Sequence, residues 1–329
     1  MSVFGIPSLT PELESNISNG LTEVESILTS RIEGKYLFAN ETSRHLIVAG
    51  GKRFRPLITI LGALVGNGLN EKVIKAAAVC ELTHLATLYH DDVMDEAPLR
   101  RGVESANSRW GNSVAILTGD YLFAKMSQIL AELGPEAVKL QADTFERLVI
   151  GQILETQGPS AGSDPLEHYL QVVADKTGSL IATSLRFGAM FAGCNAAEIE
   201  TLTLFGEKIG IAFQLADDII DIASDSAESG KTPGTDLREG IPTLVTLNAM
   251  KSSDPKDASL KLALSGPIKS ESEVQWVISE LRSHAAMAES QKQLQSIAKE
   301  ARSALANLPI GDASAALFSL CDLVIDRVG

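Results

Sequence analysis

The stretch Leu88-Tyr89-His90-Asp91-Asp92-Val93-Met94-Asp95 closes a long apolar, alanine-rich run with three carboxylates in five positions. On a helix, Asp91 and Asp95 fall one turn apart on the same face, with Asp92 beside them. Like charges at that spacing cost roughly 0.2–0.5 kcal/mol per pair, so a cationic partner is expected. The pattern returns at Leu215-Ala216-Asp217-Asp218-Ile219-Ile220-Asp221, again at the end of an apolar helical run. One such cluster reads equally well as a solvated acidic helix end. Two copies of Asp-Asp-x-x-Asp on separate apolar helices point to two walls of one divalent-metal site.

Working outward, apolar residues recur three and four apart over Val73 to His90, Val114 to Leu133, Asp143 to Gln157, Leu166 to Cys194, Ile199 to Ile222 and Glu273 to Leu308. Gly and Pro punctuate the gaps, as at Gly50-Gly51, Gly66-Asn67-Gly68, Gly134-Pro135 and Gly266-Pro267. Residues 1–49 read as one or two leading helices. No long linker and no internal repeat divides the chain, so the expectation is one all-α domain over residues 1–329, built as a helical bundle.

Bulk properties narrow the partners. Of the 329 residues, 45% are hydrophobic and 21% charged, enough apolar content for a sizeable core. A net charge of -14 argues against nucleic acid and against electrostatic docking on anionic lipid. No basic-then-apolar leader opens the chain, and the run Leu57 to Gly66 is about half the length of a spanning helix. Cys80, Cys194 and Cys321 have neither a disulfide nor a zinc spacing, which fits a reducing cytoplasm.

Anion-binding chemistry must then come from local clusters. Gly50-Gly51-Lys52-Arg53-Phe54-Arg55-Pro56 places three cations in four positions just before an apolar helix, with Pro56 suited to its first turn. His84 lies two turns before Asp91 on nearly the same face, a better ligand candidate than His90. Beyond Asp95, Arg100-Arg101-Gly102 forms a second basic turn. Carboxylates and guanidinium groups this close suggest a phosphate bridged through metal on one side and arginine on the other. Mg²⁺ suits that arrangement, since it binds through one or two carboxylates plus phosphate oxygens. Lys176-Thr177-Gly178 interrupts a helical run, Gln214 precedes Asp217 by three positions, and Lys231 sits in a Gly/Pro-punctuated loop after the second cluster. Structural hydrogen bonding explains Asp120, Gln152 and Glu155 as well as function does.

Taken in order, GGKRFRP, ELTHLATLYHDDVMD, APLRRG, KTG, FQLADDIIDI and KTPGTD resemble the trans-polyprenyl diphosphate synthase family over about Ser43 to Thr246. The resemblance implies an all-helical bundle around a deep central cavity, usually a homodimer. It implies a Mg²⁺-dependent prenyltransferase that joins isopentenyl diphosphate to an allylic prenyl diphosphate. By position, Lys52, Arg55, His84 and Arg101 would bind isopentenyl diphosphate, while Arg100 and Lys231 would hold the allylic diphosphate. Lys176, Thr177 and Gln214 would lie near its reacting carbon. Asp91 and Asp95 would chelate two Mg²⁺ and Asp217 a third, with Asp92, Asp218 and Asp221 in support. Ile241 stands where the family often has lysine, so no basic contact is expected there.

In the family, aromatic residues four or five positions before the first acidic motif stop the growing tail. Here those positions are Ala86 and Thr87, and Thr83, Cys80 and Ala76 continue with small side chains. A medium- or long-chain product is therefore expected, such as a quinone side chain. The rival readings are a short-chain synthase of about fifteen to twenty carbons, a terpene cyclase, and the non-catalytic subunit of a heteromeric synthase.

Overall fold

The structure, a computed structural model, describes residues 6, 9–223 and 233–328. Among them, ten helices lead: α1 (Pro11–Ile32), α2 (Leu37–Val48), α3 (Phe54–Val65), α4 (Glu71–Met94), α5 (Ala106–Trp110), α6 (Asn112–Leu133), α7 (Pro135–Gln157), α8 (Pro165–Val173), α9 (Ser179–Phe191) and α10 (Ala196–Ala223). Beyond residue 233 come α11 (Thr235–Glu239), α12 (Leu244–Met250), α13 (Ala258–Ala263), α14 (Glu271–Ser283), α15 (Ala285–Ala304) and α16 (Asp312–Asp326). The all-α expectation holds. Among the described residues the only strands are β1 (Leu99–Arg100) and β2 (Val103–Glu104), a two-residue hairpin that apolar patterning did not announce.

The helices gather into two compact units, each discontinuous in sequence. One comprises residues 1–145, 180–203 and 307–317; the other comprises residues 146–179, 204–306 and 318–329. In the first unit α4 is the central rod. Its residues Ala76 to Ala86 are almost wholly buried, so this segment is covered on all sides and the amphipathic stripe of a surface helix is absent. Asn70 caps its start, accepting from the Lys72 and Val73 amides while its own amide reaches the Phe191 carbonyl. The buried Tyr89 hydroxyl donates to the Thr42 carbonyl at 2.6 Å and accepts from the Leu46 amide, which fastens α2 to the acidic end of α4. α3 and α9 approach so closely that a Cβ on Gly188 would lie 2.0 Å from the Thr59 carbonyl oxygen.

Two expectations change. The long helix read over Glu273 to Leu308 breaks at His284, which takes an extended backbone and caps α15 by accepting from the Ala286 amide. Its other ring nitrogen meets Asp257 at 3.0 Å. The run Leu166 to Cys194 contains a π turn, Ala174–Gly178, between α8 and α9. Wide turns of this kind concentrate at functional sites, and this one carries Lys176 and Thr177.

Gly188→Ala is expected to cost at least about 1–3 kcal/mol, because backbone faces the new methyl. A lowered midpoint in thermal unfolding, with α3 exchanging its amide hydrogens faster, checks this.

Candidate active site

In the first unit, the acidic end of α4 and two basic turns come together. Asp92 is fully buried, and its Oδ1 accepts from Arg100 Nε. Arg100 also places an NH2 nitrogen 3.8 Å from the exposed Asp95. Burial pushes the Asp92 carboxyl up while the bond from Arg100 pulls it down. Asp92 Oδ2 is buried with no hydrogen-bond partner. The second carboxylate of the motif thus turns into the protein, and the hairpin turn at Arg101-Gly102, both with positive φ, aims Arg100 at it.

Arg101 reaches the other way. It donates to the Leu46 carbonyl at 2.9 Å and to the Gly50 carbonyl, and it lies 3.8 Å from Glu81. Its guanidinium carbon would be 2.9 Å from a Cβ on Gly51, so the glycine pair admits this side chain. Glu81, only 2% exposed, also receives Arg53 at 2.9 Å, and Arg53 is shared with Glu25. Arg53 and Arg101 both hold left-handed backbone, φ 45° and 54°, which is uncommon outside glycine. Arg55 differs: its Nε is buried without a partner. Burial lowers its pKa, with Glu81 opposing and Arg101 adding to the shift. His84 sits in the same field, and burial plus the charges of Arg55, Arg101, Arg100 and Arg53 hold its pKa well below the usual value. That field favours the neutral imidazole, which donates one hydrogen bond and accepts another. Lys52 is exposed. His90 is engaged structurally, with Nε2 3.1 Å from the Ile116 carbonyl and 3.4 Å from Asp120.

In the second unit, the π turn and the end of α10 build another polar group. Lys176 Nζ meets Glu155 at 2.5 Å, and Gln152 donates to the same carboxylate. Buried Asp175 anchors the turn through Arg147 at 2.9 Å and Gln171 at 2.6 Å. Thr177 Oγ1 lies 3.5 Å from Gln214 Oε1, and the Gln214 amide donates to Asp218 Oδ1 at 3.0 Å. The Tyr169 hydroxyl donates to Asp218 Oδ2. Burial raises the Asp218 carboxyl to about 6 against those hydrogen bonds. As with Asp92, the second aspartate faces inward. Asp217 is exposed and bound at 2.6 Å by Arg327, whose guanidinium also lies over the Phe213 ring. Asp221 is half-buried, and Lys231 lies outside the described residues.

The donor set suits Mg²⁺. Among the described residues no three acidic, histidine or cysteine groups converge on one point. A hard cation that takes most of its oxygens from water and phosphate needs only one or two carboxylates. Asp91 and Asp95 on α4, and Asp217 and Asp221 on α10, form two such carboxylate pairs, with Asp92 and Asp218 buried beside them. Sequence patterns alone assign no role to Glu25, Arg147, Tyr169 or Arg327. Each is remote in sequence from the group it serves, and none stands in a motif.

The description polyprenyl synthetase belongs to a family model that matches residues 38–281. The chain is 48% identical over 311 residues to a nonaprenyl diphosphate synthase of Mycobacterium tuberculosis, covering 94% of this chain and 93% of that protein. It is 37% identical over 316 residues to a dimethylallyltranstransferase of the same organism, covering 96% of each. Among solved structures, a geranylgeranyl pyrophosphate synthase from Corynebacterium glutamicum, complexed with calcium and isoprenyl diphosphate, superimposes with a TM-score of 0.88. That match has 42% identity and covers 98% of this chain and 99% of the other.

Two substitutions separate scaffold from ligand contact. Arg53→Ala should lower stability by about 1.5–3 kcal/mol, the worth of its hydrogen bond to the buried Glu81, which keeps Arg101 at 3.8 Å, and should be read by denaturant unfolding. Arg55→Ala should instead raise the KM for the homoallylic diphosphate by about tenfold or more, the worth of a charge-assisted hydrogen bond. Arg327→Gln frees Asp217 from an exposed ion pair worth about 0–1 kcal/mol. It should lower the Mn²⁺ concentration for half-saturation, read by electron paramagnetic resonance, by up to about fivefold.

Proposed function

The chain belongs to the polyprenyl synthetase family, and from that premise we propose that it makes a medium- or long-chain polyprenyl diphosphate of the kind that supplies quinone side chains. It is a prenyltransferase, and its substrates are read as isopentenyl diphosphate and an allylic prenyl diphosphate, joined head to tail in trans geometry. One observation carries the site reading. Each Asp-Asp-x-x-Asp motif turns its second carboxylate inward, Asp92 to Arg100 and Asp218 to Tyr169 and Gln214, and a cluster of arginines around the buried Glu81 stands beside the first motif.

The division of labour follows from the partners each side chain has. Arg55, with a buried and unpartnered Nε, joins Lys52, neutral His84 and Arg101 in binding isopentenyl diphosphate. Arg100, braced against Asp92, and Lys231 hold the allylic diphosphate. Lys176, Thr177 and Gln214, fixed by Glu155 and Asp218, lie toward the carbon that becomes an allylic cation. Asp91, Asp95, Asp217 and Asp221 would hold Mg²⁺, about three ions per site by family resemblance. Bound there, Mg²⁺ supplies the positive charge that neutralises the departing diphosphate. The arginines add preorganised charge to the same task, and the fixed positions of two diphosphates bring the reacting carbons together. The condensation ends with loss of a proton, for which the released diphosphate is the base.

The whole chain acts as one synthase domain in this reading, with a second copy covering exposed apolar residues of α6 such as Ile116 and Leu117. The three free cysteines fit a cytoplasmic setting. Among the described residues no helix is long and apolar enough to cross a membrane. The Mycobacterium nonaprenyl relative favours a long product, and the Corynebacterium structure gives a second reading, a product of geranylgeranyl length.

Purified protein, labelled isopentenyl diphosphate and allylic primers of increasing length distinguish the two once the products are dephosphorylated and sized. Asp91→Ala and Asp217→Ala should each lower turnover by orders of magnitude with unchanged circular dichroism. Near-normal Mg²⁺-dependent turnover in either variant refutes the metal assignment.

A further inference from the structure

We propose that Arg147 is a positioning residue for prenyl transfer: it clasps the π turn Ala174–Gly178 and so keeps Lys176 and Thr177 in register for the allylic diphosphate. The inference rests on the function proposed above, and it adds a residue that stands in none of the acidic or basic motifs. A π turn takes one residue more than a regular helical turn, so a chain keeps it only where the surroundings impose it. Here parts of α7, α8 and α10 do so, all within the second unit.

The hydrogen bonds of the turn are shared out unusually. The Ser179 amide passes over the Asp175 carbonyl, its partner in a regular helix, and donates to the Ala174 carbonyl. The Ser179 hydroxyl takes the Asp175 carbonyl instead, at 2.5 Å. α7 meets the turn with one face, on which Arg147, Gly151 and Glu155 follow at four-residue steps. A Cβ on Gly151 would stand 2.7 Å from the Lys176 amide nitrogen, so backbone lies against backbone there. To one side of this contact Glu155 holds Lys176 Nζ at 2.5 Å. To the other, Arg147 Nε donates to Asp175 Oδ1 at 2.9 Å, while its terminal nitrogens lie 3.1 and 3.5 Å from the Glu207 carboxylate of α10. Gln171 of α8 donates to the second oxygen of Asp175 at 2.6 Å. A Cβ on Gly178 would be 3.3 Å from the Glu207 carbonyl oxygen, so the turn also rests on α10 at the residue that completes the clasp.

Ion pairs at a protein surface ordinarily contribute little. This one differs in where its carboxylate stands: Asp175 is 7% exposed, both its oxygens are engaged, and Lys176 and Thr177 come next in the chain. Without the guanidinium, Gln171 alone faces that carboxylate, and the turn is free to shed its extra residue. A regular helix through this point would rotate Lys176 and Thr177 by about 100° relative to α8. Thr177 would then leave Gln214, 3.5 Å away here, and Lys176 would leave Glu155. Isopentenyl diphosphate, read as bound by Lys52, Arg55, His84 and Arg101, keeps its own contacts. The groups nearest the reacting carbon are the ones misplaced, which costs turnover and spares that affinity.

The test compares the full-length wild type with Arg147→Met, Arg147→Lys and Lys208→Gln by steady-state kinetics, thermal unfolding and hydrogen exchange. Lys208 supplies the control, an α10 lysine whose partner is Glu300 of α15 at 2.6 Å. Arg147→Met is expected to lower kcat roughly ten- to a hundredfold, with an unchanged KM for isopentenyl diphosphate and faster exchange at the amides of residues 174–179. Arg147→Lys, which meets one carboxylate at a time, should fall between. Lys208→Gln should lose a comparable ion pair and keep the wild-type kcat. Folded Arg147→Met with wild-type kcat, or with wild-type exchange at residues 174–179, overturns the clasp. A kcat loss in Lys208→Gln as large as that in Arg147→Met overturns it too, because it marks a general loosening. A wild type that extends no primer instead overturns the prenyltransferase reading, and exchange at residues 174–179 then supports or overturns the clasp alone. Should Arg147→Met not fold, Arg147→Lys decides by the same kcat and exchange readouts.

Discussion

A carboxylate can be buried only where something compensates its charge, and the arrangement of both acidic motifs follows from that constraint. In Asp-Asp-x-x-Asp on a helix, the first and last residues point nearly together and the second is rotated by about 100°. The second must therefore face the packed side. On α4 the compensating group is a full cation, Arg100, delivered by the hairpin. On α10 it is neutral: the Tyr169 hydroxyl and the Gln214 amide, with the Leu244 amide at 3.5 Å. Burial raises both carboxyls, at Asp92 against the pull of Arg100. Asp218, surrounded by neutral donors, is pushed up to about 6, and its burial is the largest cause. The outer aspartates owe their direction to these inward anchors, so the second aspartate of each motif is a scaffold element.

The positive side of the first unit obeys the same constraint with the signs reversed. Arg53, Arg55 and Arg101 crowd one neighbourhood, and the protein offers Glu81 and Glu25 in return. Arg53 takes most of that compensation and becomes a strut, while Arg55 keeps an unpartnered buried nitrogen. The same field holds His84 neutral. A site left short of negative charge is preorganised for a diphosphate, and the shortage is tolerated because helices packed around α4 hold the arginines in place. The left-handed backbone at Arg53 and Arg101 is part of that cost, held at Arg101 by contacts with Gly50 and Gly51 and at Arg53 by Glu25, Glu81 and the Ile47 carbonyl.

The aspartate and arginine positions were legible because their chemistry is written in residue type and short spacing. The helices were legible too, through the three-and-four recurrence of apolar residues. What escaped was set by distance along the chain. Tyr169 and Asp218 are 49 positions apart, and Arg327 and Asp217 are 110 apart, so no local pattern joins them. The π turn escaped because one inserted residue leaves the apolar rhythm almost intact. The break before α15 escaped for a related reason: His284 stops the helix through a side-chain cap, not through Gly or Pro. The inward turn of Asp92 and Asp218 was within reach, since helical geometry alone separates them from their neighbours.

Product length poses a different kind of problem, because the sequence shows only which residues are small. Smallness has two causes on α4, close helix packing and room for a growing tail. Ala86 is fully buried, and its backbone carbonyl would lie 3.1 Å from a Cβ on Gly119 of α6. Thr87 and Thr83 are small on the face that descends from Asp91, where a growing tail would run. Size alone would leave that face open down to Ala76. Thr83 also receives a hydrogen bond from Gln141 of α7 at 3.0 Å, so its size and its hydroxyl are both used in holding α7 against α4.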